Sequence, residues 1–354
     1  MIDRLPNVLP AASRGRIVAA LALFLFAGLV AVRPASAQKI ESPLELIYAP
    51  GNMLVAGTLV EINPAGRIVI QKKEILAGKD KPPAKIDARV RKETLANLKI
   101  GDAYIVAYSM YRRDPRKAVG FVANPDGALV LDNPGIEPAL FRDTPAVRAI
   151  LKTGRSEHGR ESRKLVDLLI KALDDADPQL RNLASGEFAY EPELVEELKD
   201  ADRAAIEKSV RNVKNTPGQR ALLLEAAARQ PKALGEWWKS AALEIVTTTP
   251  VDGYADKASD PVLLILTALE VLDRYAVKVP PESLKRWVRN PNPPLVERVL
   301  VMLRREAAEQ ERPAIETALA DPKLPDTTRK FLNDHLRRLD RMNERKAARK
   351  EGSG

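Results

Sequence analysis

Most active sites are assembled from histidine, cysteine and convergent carboxylates, and this sequence supplies few of them in usable patterns. Its 354 residues contain no cysteine, which removes disulfides, thiolate metal ligands and thiol nucleophiles together. The two histidines, His158 and His335, stand in a glycine-bearing polar stretch and in the last helical segment. Neither has a second ligand at metal-binding spacing. No Gly-x-Ser-x-Gly elbow, Walker-type loop or dinucleotide-type glycine loop occurs. Carboxylates are abundant, but no pair is set apart by its pattern. The expectation is a protein that is not an enzyme, with no catalytic residue, no cofactor and no metal.

Recognition chemistry is better represented. Tyr104, Tyr108 and Tyr111 cluster on and beside one apolar stretch and run into Arg112 and Arg113. Interleaved aromatic and basic side chains bind polymers by stacking and charge. The competing reading makes them core and rim of a small β domain. Trp237 and Trp238 are adjacent, and on a helix their rings diverge by about 100°. One ring is then expected in the core and the other at a rim, as a packing residue or a partner contact. Asn124-Pro125-Asp126-Gly127 offers too few oxygen ligands for Ca²⁺ and is fully explained as a turn.

These residues need elements to position them. The first 37 residues have the three parts of a cleavable signal peptide: Arg4, Arg14 and Arg16, then the uncharged run 17–32, then Ala35-Ser36-Ala37. A membrane anchor through 17–32 is the alternative, but the run is short of the roughly 20 residues that a span requires. No later segment is apolar for long enough. An exported, cysteine-free chain points to the periplasm, to packing as the only source of stability, and away from nucleic acid as a partner. The net charge is +9. Much of what remains after cleavage lies in residues 337–351, which hold seven Arg and Lys against Asp340, Glu344 and Glu351. Residues 341–354 read as a basic disordered tail, either merely solubilising or attracted to an anionic membrane surface or polymer.

Residues 40–135 read as a small antiparallel β domain. Segments 53–62, 67–76, 84–91, 103–111, 118–123 and 128–131 are predicted strands, with a turn at Asn63-Pro64-Ala65-Gly66. In 84–91, Ile86, Ala88 and Val90 alternate with Asp87, Arg89 and Arg91. The most apolar strand, 103–111, is expected at the centre. The order VAGTLVEI, EILAGK, a Leu-x-x-Leu-x-x-Gly-Asp step at 95–102 and AYIVAYS resembles the oligonucleotide/oligosaccharide-binding (OB) type barrel of netrin-like and metalloproteinase-inhibitor-like domains. That resemblance implies a closed barrel. The inhibitors' N-terminal zinc-chelating cysteine has no counterpart, since Gln38 stands at the expected new start.

From about 137 to 340 the period becomes helical. Leu165, Leu168, Leu169 and Leu173 form one apolar stripe. The step Asp175-Ala176-Asp177-Pro178-Gln179-Leu180-Arg181 resembles the helix-to-helix join of a HEAT repeat, with Leu180 at the apolar position and Arg181 at the basic one. Asp caps, Pro suits the first turn, and the leucine faces inward. Proline-led openings recur at 178, 217, 261, 294 and 325, with candidate first helices at 192–199, 232–246, 281–289 and 311–319. Spacings of 31 to 44 residues suit paired-helix repeats. An irregular helical bundle is the alternative.

The fold class expected is a small OB-like barrel followed by an irregular HEAT-like α-solenoid. The function expected is a non-enzymatic exported envelope protein that binds an envelope protein or an anionic polymer; the alternative is a structural or assembly component of the envelope. Cleavage after Ala37 makes Gln38 the first residue of the exported protein. Its intact mass checks this, and a mass that retains residues 1–37 refutes it.

Overall fold

The structure is a computed structural model that describes residues 41–79, 81–112, 126–157, 162–251 and 260–351. The expected signal segment, the expected strand 118–123, Asn124-Pro125, Arg113 and His158 lie outside the described residues. The described residues begin with a short helix, α1 (Pro43–Tyr48), with Ser42 as N-cap and Pro43 in the first turn. Two long strands follow, β1 (Asn52–Asn63) and β2 (Arg67–Ala77), as an antiparallel hairpin. Their turn is closed by the Gly66 N–H on the Asn63 carbonyl at 3.1 Å, with Gly66 at φ 85°, a conformation glycine adopts without steric cost.

Strand β3 (Lys85–Arg89) continues the sheet. Ile86 and Ala88 are buried between exposed Lys85, Asp87 and Arg89, as period two requires. The single-turn helix α2 (Lys92–Leu95) leads to β4 (Ala103–Arg112), and β5 (Asp126–Val130) follows. The strands close in the order β1-β2-β3-β5-β4-β1. All pairs are antiparallel except β3–β5, where Ala88 faces Ala128. This is a five-stranded, OB-like closed barrel. Closure removes the free edges that an open sheet would expose. A sixth strand, β6 (Leu140–Arg142), pairs with β4 at Tyr104↔Arg142, so β4 is the central strand. Three residues carry no readable alternation, and β6 falls in the stretch expected to begin the helical region.

Helices then alternate in two layers: α3 (Pro145–Glu157), α4 (Arg163–Ala172), α5 (Pro178–Tyr190), α6 (Pro192–Glu196), α7 (Asp200–Arg211), α8 (Pro217–Arg229), α9 (Pro231–Leu234), α10 (Trp237–Thr248), α11 (Asp260–Arg274), α12 (Pro281–Lys285), α13 (Pro293–Glu306), α14 (Ala308–Leu319) and α15 (Asp326–Glu351). One layer runs α5-α8-α11-α13-α15, each helix packed on the next, and α4, α7, α10 and α12 form a second layer. This is an α-solenoid, in which elements are held by their neighbours. Its first layer is the proline-led series. Asp177, Thr216 and Asn292 cap α5, α8 and α13 through side-chain oxygens. Leu180 is buried, as expected. The expected helix 192–199 ends early, and α7 takes the second-layer place instead. Residues 341–351, expected as a disordered tail, continue α15 as helix.

Barrel and array are not separate cores. Their buried residues form one continuous apolar cluster, and the junction turns on α1. Gly135 and Gly186 touch backbone to backbone there. A Cβ on Gly186 would lie 2.6 Å from the Gly135 Cα and 2.7 Å from Pro43, so any side chain would force α5 away from the barrel. The next residue, Glu187, is fully buried and accepts the Leu44 N–H at 2.6 Å. It satisfies one of the open donors at the α1 N-terminus. Tyr48 Oη donates to the Leu151 carbonyl at 2.7 Å, tying α1 to α3.

Burial pushes the Glu187 carboxyl up to about 8, the Leu44 N–H and Ser42 opposing that rise and Glu191 and Glu45 adding to it. A carboxyl whose pKa is raised on folding favours the folded state fully below its unfolded value of 4.5, and that contribution is lost as pH rises through about 8. Glu187→Gln is therefore expected to match the wild type near pH 4.5 and to be the more stable protein above pH 8. Urea unfolding across that range checks this; parallel curves throughout would refute it.

Candidate functional site

The junction that α1 locks also opens a cleft of about 640 Å³. The barrel contributes Arg91 and α2 on one wall and the loop through Pro134, Glu137 and Pro138 on another. The array contributes the N-terminal turns of α5 and α8, with Tyr190, Leu222 and Glu225 further along, and Leu263 and Thr267 of α11. Gln219 joins the two helix starts. Its Nε2 donates to the Pro178 carbonyl at 2.9 Å, and its Oε1 accepts the Thr216 N–H at 3.2 Å. The α5 and α8 N-termini are thereby fixed side by side on the cleft wall.

Two of the charged side chains that line the cleft are held by ion pairs to residues outside it, and Glu93 is an exposed acid on the wall. Arg91 pairs with Asp132. Glu225 accepts from Arg229 and from Arg274, both at 2.7 Å. Burial raises the Tyr190 phenol, Arg229 opposing and Glu137 and Glu225 reinforcing the rise, so it remains a neutral hydroxyl over the physiological range. Asn97, Gln179 and Asn182 leave amide groups along the walls, whereas the Gln219 amide is buried and already hydrogen-bonded at both ends; among the described residues Gln179 Oε1 is buried with no hydrogen-bond partner. Ala221, Leu222 and Leu263 supply apolar surface, with Leu263 half-exposed. Amide donors and acceptors beside apolar patches, with the lining cation Arg91 engaged, suit an uncharged or weakly charged ligand rich in amides.

The structure separates the residues singled out from sequence. Tyr104 and Tyr108 are buried in the barrel, and Tyr104 Oη accepts the Lys99 N–H at 3.2 Å. Their rings are core, not a stacking surface. Tyr111 and Arg112 end β4. Trp238 is buried against the Tyr275 ring, centroids 5.0 Å apart, with Lys239 Nζ over its face at 5.6 Å. Trp237 is half-buried and donates Nε1–H to the Leu234 carbonyl at 2.7 Å. The two rings diverge as helical geometry demands, and neither lines the cleft. No sequence pattern marks the cleft, because its walls come from stretches as far apart as Arg91 and Thr267.

His335 belongs to a different cluster. Its Nε2 lies 2.9 Å from Glu311 Oε1, and Arg304 holds both Glu311 oxygens at 2.7 and 2.8 Å. The cluster ties α13, α14 and α15 together. Among the described residues no group of three or more His, Asp or Glu is placed to hold a metal ion, and no helix is long and apolar enough to cross a membrane. No protein-family model matches this chain, and comparison with curated proteins and with solved structures returns no match.

Burial alone would raise the Glu311 carboxyl, but hydrogen bonds from His335 and Arg304 outweigh it and hold it at about 2. The sign follows: the cluster stabilises fully above the ordinary carboxyl value of 4.5 and loses that contribution as pH falls through about 2. Glu311→Gln is expected to destabilise the protein at neutral pH by about 1–3 kcal/mol, the range for hydrogen bonds to charged groups. The gap to wild type should close below pH 4.5. Thermal melts between neutral and acid pH measure that gap, and a pH-independent difference would refute the assignment.

Proposed function

We propose that this protein is a non-catalytic binding module of the cell envelope, exported by its N-terminal segment, and that its junction cleft takes an extended segment of a partner protein. The observation that carries the reading is the cleft's composition: amide side chains and apolar patches on the walls, with the lining cation Arg91 engaged by Asp132. An extended peptide presents alternating N–H and C=O groups with side chains to either side, which is what such walls complement. An anionic polymer would call for unpaired cations in the cleft, and Arg91 there is engaged with Asp132. An α-solenoid joined to an OB-like barrel is compatible with an interaction scaffold. The HEAT-like join at Asp175–Ala184 supports the same reading, since stacked helix pairs commonly present extended binding surfaces.

A photoreactive residue at Leu222 or Leu263, in the protein exported by its own cell, is expected to crosslink one discrete partner. The same probe at Val213, which is 80% exposed and outside the cleft, should not. Leu263→Glu should weaken capture about tenfold or more, as loss of a buried anchor does. Identical products from all three positions, or none from the cleft, would overturn the reading.

A further inference from the structure

Most arginines of the helical array are matched to acids. Arg163, Arg203, Arg211, Arg229, Arg274, Arg298, Arg304, Arg305 and Arg312 each lie within ion-pair distance of a carboxylate. The last helix departs from this rule. On α15, Lys330, Arg337, Arg341 and Arg345 are spaced seven, four and four residues apart. At 3.6 residues per turn they fall within about 80° of one another, along a line of roughly 22 Å. All four are exposed. Among the described residues Lys330, Arg341 and Arg345 make no ion pair, and Arg337 reaches Asp334 alone, at 3.5 Å. Arg338 stands beside the row, its guanidinium 6.0 Å from the Phe331 ring centre. Five cations against Asp334 and Glu344, the latter about 20° from Arg337 around the helix, leave a net charge of about three on this face.

The rest of α15 shows which way the row points. Leu332 is fully buried, and Leu336 and Leu339 pack on the core, so the apolar side is turned to α13 and α14. Asp340 is paired with Arg312 on another face. From Arg341 to Arg345 every residue is exposed, so the helix stands clear of the array and carries its cations outward.

We propose that this face of α15 is a docking surface for an anionic phospholipid membrane. Three features select that occupant. The row is straight and protrudes, which suits a flat charged surface, whereas a flexible polyanion is held in a groove between walls. Among the described residues no exposed aromatic or aliphatic anchor other than Met342 accompanies it, and protein interfaces need such anchors. Each cation near an anionic leaflet contributes about 1 kcal/mol, so four or five acting together give useful binding without insertion. The proposal does not depend on the cleft or on what fills it.

The test is co-sedimentation of the full chain with phosphatidylglycerol–phosphatidylcholine vesicles and with phosphatidylcholine vesicles. Residues 1–40 are common to every variant, and neutral vesicles report their contribution. The wild type is expected to prefer the anionic vesicles about 100-fold or more, and to lose that preference in about 1 M salt. Replacing Lys330, Arg337, Arg341 and Arg345 by Gln should abolish the preference. Replacing the equally exposed Lys164, Lys171, Lys214 and Lys232 by Gln should leave most of it. The charge-conserving variant R337K/R341K/R345K should bind like wild type, which separates charge from folding. Equal binding to both vesicle types, equal losses in the two Gln variants, or binding to soluble polyphosphate but not to vesicles would each overturn the proposal.

Discussion

The 2.6 Å contact between the Leu44 N–H and the Glu187 carboxyl is the constraint on which the arrangement depends. A helix of six residues has no stability of its own, because nucleation alone is unfavourable. It exists here because its apolar face is buried and its open N-terminal donors are met, one of them by a side chain from the array. The neighbouring Gly135–Gly186 contact sets how closely the two parts approach. Helix α5 is therefore the shared element: one end meets α1 and the barrel loop, and the other opens the cleft wall.

This arrangement places two kinds of surface on one chain. At the junction Arg91 is cancelled in place by Asp132, and Glu225 by two arginines. Paired ions in a half-buried setting add little attraction for a further charge, so shape and amide hydrogen bonding decide what binds there. On the far helix the cations are left open, and binding would be long-ranged and sensitive to salt. The first kind of surface selects among partners; the second acts on anything bearing the opposite charge.

The sequence carried the architecture better than the site. Alternation through Ile86 and Ala88 was legible because β3 has one wet face. The proline-led helices were legible because a proline opens each of them, and at two starts a cap, a proline and an inward leucine coincide: Asp177, Pro178 and Leu180, and Asn292, Pro293 and Leu295. Tyr104 and Tyr108 misled, since on a strand covered on both sides period two no longer distinguishes inside from outside. The cleft left no local trace: Gln219, Gln179 and Asn97 are ordinary polar residues until three elements bring them together. The acid at 187 looked like one of many helical glutamates. Its neighbour Gly186, in mid-helix where glycine is costly, was the available hint that something packs closely there.

The sequence separation of 143 between Leu44 and Glu187 also imposes an order on assembly. The partner that caps the first helix is made nearly half a chain later, so the barrel's opening segment stays unfastened while everything through α5 is synthesised. Long-range contacts of this kind are slow to form, because chain entropy is lost before the contact compensates for it. The helices beyond α5 have no such debt: each one finds its support in the helix just completed. The molecule thus has a late-closing beginning and a readily extended end.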